Sequence, residues 1–172
     1  MAFRVILPLL CFFAVASCAT LSEDACRGGD WTNIGFRDGA EGRSFDFVEK
    51  HAKACAEFGI APDVKSWSSG RTKGLALYCT PERAYSEGRE GNRLRPVCEG
   101  YDQRPLEHAN IRGLNYHDLT QDILGAENRL SEISSLLAAL PDGDPARAGL
   151  VSERTRLRMQ ILRLRSRRTA YL

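Results

Sequence analysis

Apolar residues recur in alternating steps of four and three along the C-terminal part of the chain: Leu119, Ile123, Ala126, Leu130, Ile133, Leu137 and Leu140. That spacing collects them on one stripe of a helix, the a/d stripe of a coiled coil. Pro141-Asp142-Gly143-Asp144-Pro145 then interrupts the pattern and turns the chain. Asp144 is placed to cap a following helix, with Pro145 at its first position. Leu150, Leu157, Ile161, Leu164 and Tyr171 resume the heptad register, and Arg154 and Arg168 stand at its interrupted places. Two amphipathic helices joined by a short connection predict an antiparallel hairpin over 105–172.

Upstream the pattern changes. Phe45, Val48, Ala52, Cys55 and Ala56 keep helical spacing between Ser44, a plausible N-cap, and Gly59, a C-terminal stop. Pro62-Asp63 opens a further helix through Trp67 to Tyr78, and Thr80-Pro81 opens a short one ending near Gly88. Glycine follows an aromatic residue three times: Trp31 with Gly35, Gly39 and Gly42, Trp67 with Gly70 and Gly74, Tyr85 with Gly88 and Gly91. Gly35 and Gly39, like Gly70 and Gly74, fall on one helix face. Rows of glycine let another backbone come close, so short, tightly packed helices are predicted, with a set of glycine-rich turns as the alternative. The fold class expected is all-α: short disulfide-stapled helices, then a long coiled-coil-like hairpin.

The first residues are of another kind. Arg4 precedes an apolar run from Val5 to Ala16, and Val15-Ala16-Ser17-Cys18 ends it. A basic start, an apolar middle and small residues at a cut describe a secretory signal peptide. The run is about twelve residues, and a spanning helix needs about twenty. The closing tetrapeptide resembles the bacterial lipobox, in which the cysteine after the cut is acylated. The expected layout is a signal peptide over 1–17, a tether over 18–25 lipidated on Cys18, a stapled domain over 26–99 and the hairpin. Ala19 follows the cysteine with no aspartate there to retain the protein at the inner membrane. By resemblance to sorted lipoproteins, the expected address is the periplasmic face of the outer membrane.

That compartment bears on the cysteines. Of six, Cys11 belongs to the leader and Cys18 to the lipid, which leaves Cys26, Cys55, Cys79 and Cys98. An even number in an oxidising compartment reads as two disulfides, with three possible connectivities. Cys26–Cys55 and Cys79–Cys98 are favoured. An antiparallel pair formed by 30–42 and 44–58 would bring the first two together, and one short helix separates the second two.

The formal charge is +2 for the whole chain, and its distribution is uneven. Residues 105–145 carry seven acids and two arginines; residues 146–172 carry eight arginines and one acid. Opposite signs on adjacent helices favour their pairing. The secreted location argues against nucleic acid as the arginines' partner.

Candidate chemistry is sparse. His51 and Cys55 share a helix face at metal-ligand spacing, but a disulfide on Cys55 would leave His51 alone. Asp38 and Glu41 form a candidate acid–base pair, with exposure or turn-holding as the plainer reading. Gly70-Arg71-Thr72-Lys73-Gly74 lacks the spacing and preceding strand of a phosphate loop. His108 and His117 fall on different helix faces. No catalytic residue, cofactor site or metal site is assigned.

Trp31-x3-Gly35-x2-Asp38-Gly39, Cys55, Gly70-x3-Gly74-Leu75-x2-Tyr78-Cys79-x-Pro81, Gly88-x2-Gly91 and Val97-Cys98 occur in that order. Together they resemble a family of small Gram-negative lipoproteins known as a domain of unknown function. The resemblance covers 26–99, with Trp67 where tyrosine is the expected residue. It implies a periplasmic lipoprotein and supplies no activity. The function expected is a non-enzymatic envelope lipoprotein, a structural or protein-interaction module. Its partners would be the membrane, through the lipid, and an envelope protein, through the hairpin. The alternative is an enzyme or binder acting on envelope polymers or anionic lipid head groups. Leu136, Met159 and Leu162 lie off the hairpin seam and must be buried by the stapled part or by another protein.

Overall fold

The computed structural model describes residues 20–172, so Cys18 and the leader lie outside the described residues. The described chain is all-α. Its helices are α1 (Glu23–Gly28), α2 (Trp31–Ala40), α3 (Val48–Ala56), α4 (Val64–Tyr78), α5 (Pro81–Arg89), α6 (Gln103–Ala139) and α7 (Ala146–Thr169). Side-chain oxygens of Ser22, Asp30, Asp63 and Thr80 cap α1, α2, α4 and α5 by accepting from the first-turn amides. Ser44 makes no such bond: the chain enters α3 through a 3-10 turn, Phe45–Phe47.

Glycine decides which helices pair. A Cβ added to Gly35 would lie 1.9 Å from the Trp67 carbonyl oxygen, and one on Gly70 would lie 1.9 Å from that of Thr32. Gly39 and Gly74 face the opposite backbone in the same way, each 2.1 Å from a carbonyl oxygen of the other helix, Arg71 and Phe36 respectively. The contacts advance together along both helices, so α2 and α4 run in the same direction, backbone against backbone. This corrects the expected pairing of 30–42 with 44–58: α2 packs on α4, and α3 is the crossover between them. α5 and α6 repeat the device, with Gly88 against Asn110 and Gly113 against Tyr85.

Two disulfides fasten these pairs. Cys26–Cys55 joins α1 to α3, and Cys79–Cys98 joins the end of α4 to the segment before α6. The first lies in a core with Trp31, Ile34, Val48 and Trp67. The second lies in a core with Leu75, Tyr78, Ala84, Leu106 and Ala109. Leu106 and Ala109 belong to α6, so the boundary expected between 99 and 105 runs through a shared core. The stapled part takes in the first turns of α6, and only the rest of that helix projects as hairpin.

α6 and α7 pack as that hairpin. Leu119, Ile123, Ala126, Ile161 and Leu164 are buried between them, with Leu130, Leu157 and Tyr171 packed against this core. Arg129 bridges to Glu153, and Arg165 to Glu127. At the interrupted seam position Arg168 donates to Thr120 Oγ1 at 3.2 Å and lies over the Tyr116 ring. The C-terminus is tied to the base of the hairpin, where Tyr85 Oη donates to the Tyr171 carbonyl at 2.6 Å.

Candidate functional site

The close approach of α2 to α4 brings Asp38 against Trp67. Asp38 stands one residue before Gly39, on the face that α2 turns inward, and is 8 % exposed. Its Oδ2 accepts from Trp67 Nε1 at 2.7 Å and bonds His51 Nε2 at 2.8 Å. Both partners are buried, Trp67 at 0 % and His51 at 2 % exposure. The other imidazole nitrogen, Nδ1, lies 2.9 Å from Thr20 Oγ1. An acceptor at Nε2 requires the ring proton there, so in the neutral ring Nδ1 accepts from the threonine hydroxyl. Hydroxyl, imidazole and carboxylate thus form a chain from the surface to the α2–α4 contact. A buried carboxylate is costly unless hydrogen-bonded, and two donors meet Asp38 here. Phe47 packs its ring edge-on to His51 at 5.1 Å, and Phe45 does the same to Trp67 at 5.7 Å.

A cleft opens above this network, with Arg37, Arg43 and Glu41 on its wall and Thr20 and His51 at its floor. Glu41 holds the Arg43 guanidinium at 3.0 Å. The two carboxylates read together as a candidate acid–base pair are therefore separated: Asp38 points into the core, Glu41 to an arginine at the surface. His51 and Cys55 do not share a metal, because Cys55 is in a disulfide and His51 is bonded to Asp38. Among the described residues no group of three histidine, cysteine, aspartate or glutamate side chains is placed to hold a metal ion. Gly70 and Gly74 lie inside α4 against α2, so the intervening residues form no loop. His117 Nδ1 faces the Arg89 carbonyl at 3.0 Å and His108 is exposed; they do not meet. The union of Asp38, His51 and Thr20 was missed because each belongs to a different segment. The one local signal was an aspartate amid glycines on an otherwise apolar helix face.

The hairpin supplies a second surface. Leu124, Leu136, Met159 and Leu162 are exposed, Leu162 at 58 %. A groove between the helices is floored by Leu130 and Ile161, walled by Leu162 and rimmed by Glu127, Arg158 and Arg165. Arg156, Arg158, Arg163 and Arg167 are exposed and enter no ion pair among the described residues. No helix among the described residues is long and apolar enough to cross a membrane.

One family model, described as a protein of unknown function (DUF2799), matches residues 30–115. No curated protein and no solved structure matches the chain. The matched span begins just before α2 and ends just after Gly113. It holds both glycine-packed helix pairs, the second disulfide and the Asp38–His51 pair, and it leaves the projecting hairpin outside. Since residues 30–115 are half of the 172, the chain belongs to this family of proteins of unknown function.

Proposed function

We propose that this protein is a non-enzymatic envelope lipoprotein, lipidated on Cys18, that docks another envelope protein on its hairpin. The observation that carries the docking role is the exposure of Leu124, Leu136, Met159 and Leu162, which nothing in the described chain covers. Of these, Leu162 lines an apolar groove with Leu130 and Ile161, rimmed by charged residues, and an apolar patch with a polar rim supports an interaction surface. The four arginines without ion pairs favour a partner of acidic surface, drawn in by charge and held by apolar contact. The two disulfides support an oxidising compartment. In the Thr20–His51–Asp38 chain each proton is matched to an acceptor within the chain, and Trp67 takes up Asp38 as well. That closed network reads as a clasp holding the N-terminal end on the α2–α4 pair.

The test is crosslinking followed by co-purification from membranes, with the full chain. Leu136→Ser combined with Leu162→Ser should weaken association more than Arg165→Gln combined with Arg167→Gln at physiological salt, where screening blunts charge. If the serine variant keeps every partner of the wild type, the hairpin is a structural appendage and the docking role fails.

A further inference from the structure

A second cleft, of about 350 Å³, adjoins the one above Thr20 and His51 and shares Arg43 and Phe47 with it. It lies between the turn that follows α2 and the segment Arg95–Val97. Three cations line it, Arg43, Lys50 and Arg95, and no carboxylate does. Arg43 Cζ stands 4.7 Å from the centre of the Phe47 ring, and Lys50 Nζ stands 5.1 Å from the same centre. Lys50 and Arg95 enter no ion pair among the described residues. Glu41 engages Arg43 through Nε and Nη2 and leaves Nη1 unbonded. Asp46, also nearby, is held by Ser44 and lies in the field of Lys50 and Arg71. Positive charge is therefore in excess on the lining of the cleft.

Two of these cations, Arg43 and Arg95, sit on fixed supports. Arg71 Nε donates to the Arg43 carbonyl at 2.7 Å. Arg95 Nη1 donates to the Glu41 and Gly42 carbonyls at 3.3 and 3.4 Å, and its backbone N–H donates to the buried Tyr78 hydroxyl at 3.2 Å. Gly42 has φ +67°, and a Cβ there would meet the Tyr78 ring at 2.4 Å, so the turn is pinned where it stands. Three like charges gathered on a rigid concave surface repel one another unless an anion joins them. Supports built in advance lower the ordering cost of binding it.

We propose that this cleft binds a phosphoryl group, its oxygens shared among Arg43, Lys50 and Arg95. A carboxylate is planar and is matched by a single guanidinium fork; a tetrahedral phosphate offers acceptors toward three donors at once. The group has two possible sources, a phospholipid headgroup or free phosphate. The neighbouring cleft favours the headgroup, because Thr20 is seated there and Cys18 lies two residues before it. That choice of source rests on the lipoprotein reading; phosphoryl binding itself does not.

The test uses the full chain in nonionic detergent, observed by NMR. Inorganic phosphate is titrated against chloride at matched ionic strength. Micelles doped with phosphatidylglycerol are then compared with micelles doped with diacylglycerol. Saturable shifts are expected at Ser44, Phe47 and Arg95. Lys50→Gln combined with Arg95→Gln should weaken them about tenfold or more, with the Trp67 indole signal unchanged as the sign of an intact fold. Arg156→Gln combined with Arg163→Gln on the hairpin should leave binding as it was. A response to phosphatidylglycerol and not to diacylglycerol, tighter than that to phosphate, assigns the headgroup. Equal responses to both phosphate forms assign the free anion. Absence of saturable shifts with either, or equal losses in the two double variants, overturns the proposal.

Discussion

Trp67 Nε1 donates to Asp38 Oδ2 at 2.7 Å, across the contact where α2 and α4 come together. The indole is fully buried, so no water can take its place on the carboxylate. Trp67→Phe keeps most of the ring and removes the donor. The expected loss is about 1.5–3 kcal/mol, the range for a hydrogen bond to a charged group. Urea unfolding measures it, with Glu41→Gln, at the surface, as the control expected to change little. A Trp67→Phe protein as stable as the wild type would show that Asp38 does not depend on this donor.

The glycines make opposite predictions by position. Gly35→Ala places a methyl group against the Trp67 carbonyl and must push α2 and α4 apart. It should cost about 1–3 kcal/mol or more. Gly125 lies inside α6 with nothing within 4 Å of an added Cβ. Gly125→Ala should therefore stabilise by about 0.5–1 kcal/mol, through helix propensity alone. Thermal melts of both variants check the sign as well as the size.

Each disulfide closes a loop of moderate length, with separations of 29 and 19 residues. Replacing either pair by serine should cost about 2–4 kcal/mol, with the longer loop losing slightly more. Peptide mapping without reduction should recover Cys26 with Cys55 and Cys79 with Cys98. Recovery of Cys26 with Cys79 or with Cys98 would contradict the pairing.

Glu153 joins the two hairpin helices through Arg129, whose hydrogen bond holds the Glu153 carboxyl below the ordinary glutamate range. A lowered carboxylate pKa adds stability above the unfolded-state value and loses it as pH falls through the folded-state value. The pair is exposed, so the effect is small and salt-sensitive. The advantage of wild type over Glu153→Gln should shrink as pH is lowered from about 6 to about 3. Urea midpoints across that range test it, and an advantage that grows on acidification contradicts the assignment.

Anchoring is tested by Cys18→Ala. On the proposed lipidation of Cys18, in which acyl chains on that residue would supply the anchor, the variant should remain uncut or appear in the soluble periplasmic fraction. Normal recovery with the outer membrane would remove the basis for lipidation.

The helices were legible in the sequence because their signals are local. Steps of three and four from Leu119 to Leu140, the stop at Pro141–Pro145 and the resumed register at Leu150 are each read within a few turns of chain. So are the caps at Asp63 and Thr80. Which helices pair was not legible. The glycine rows announced close backbone contact, yet two such rows cannot say whether the next helix or the one after it is the partner. Packing chose α4 for α2, since Gly35 and Gly39 fit against Gly70 and Gly74 while α3 presents no glycine. That the base of the hairpin shares a core with the stapled part was hidden for a related reason. Leu106 and Ala109 continue a helix whose later residues form the seam, and one unbroken pattern conceals a change of partner along its length. Asp38, His51, Thr20 and Trp67 are separated by stretches that carry no shared signal. Only the pairing of α2 with α4, with α3 crossing between them, makes those four side chains neighbours.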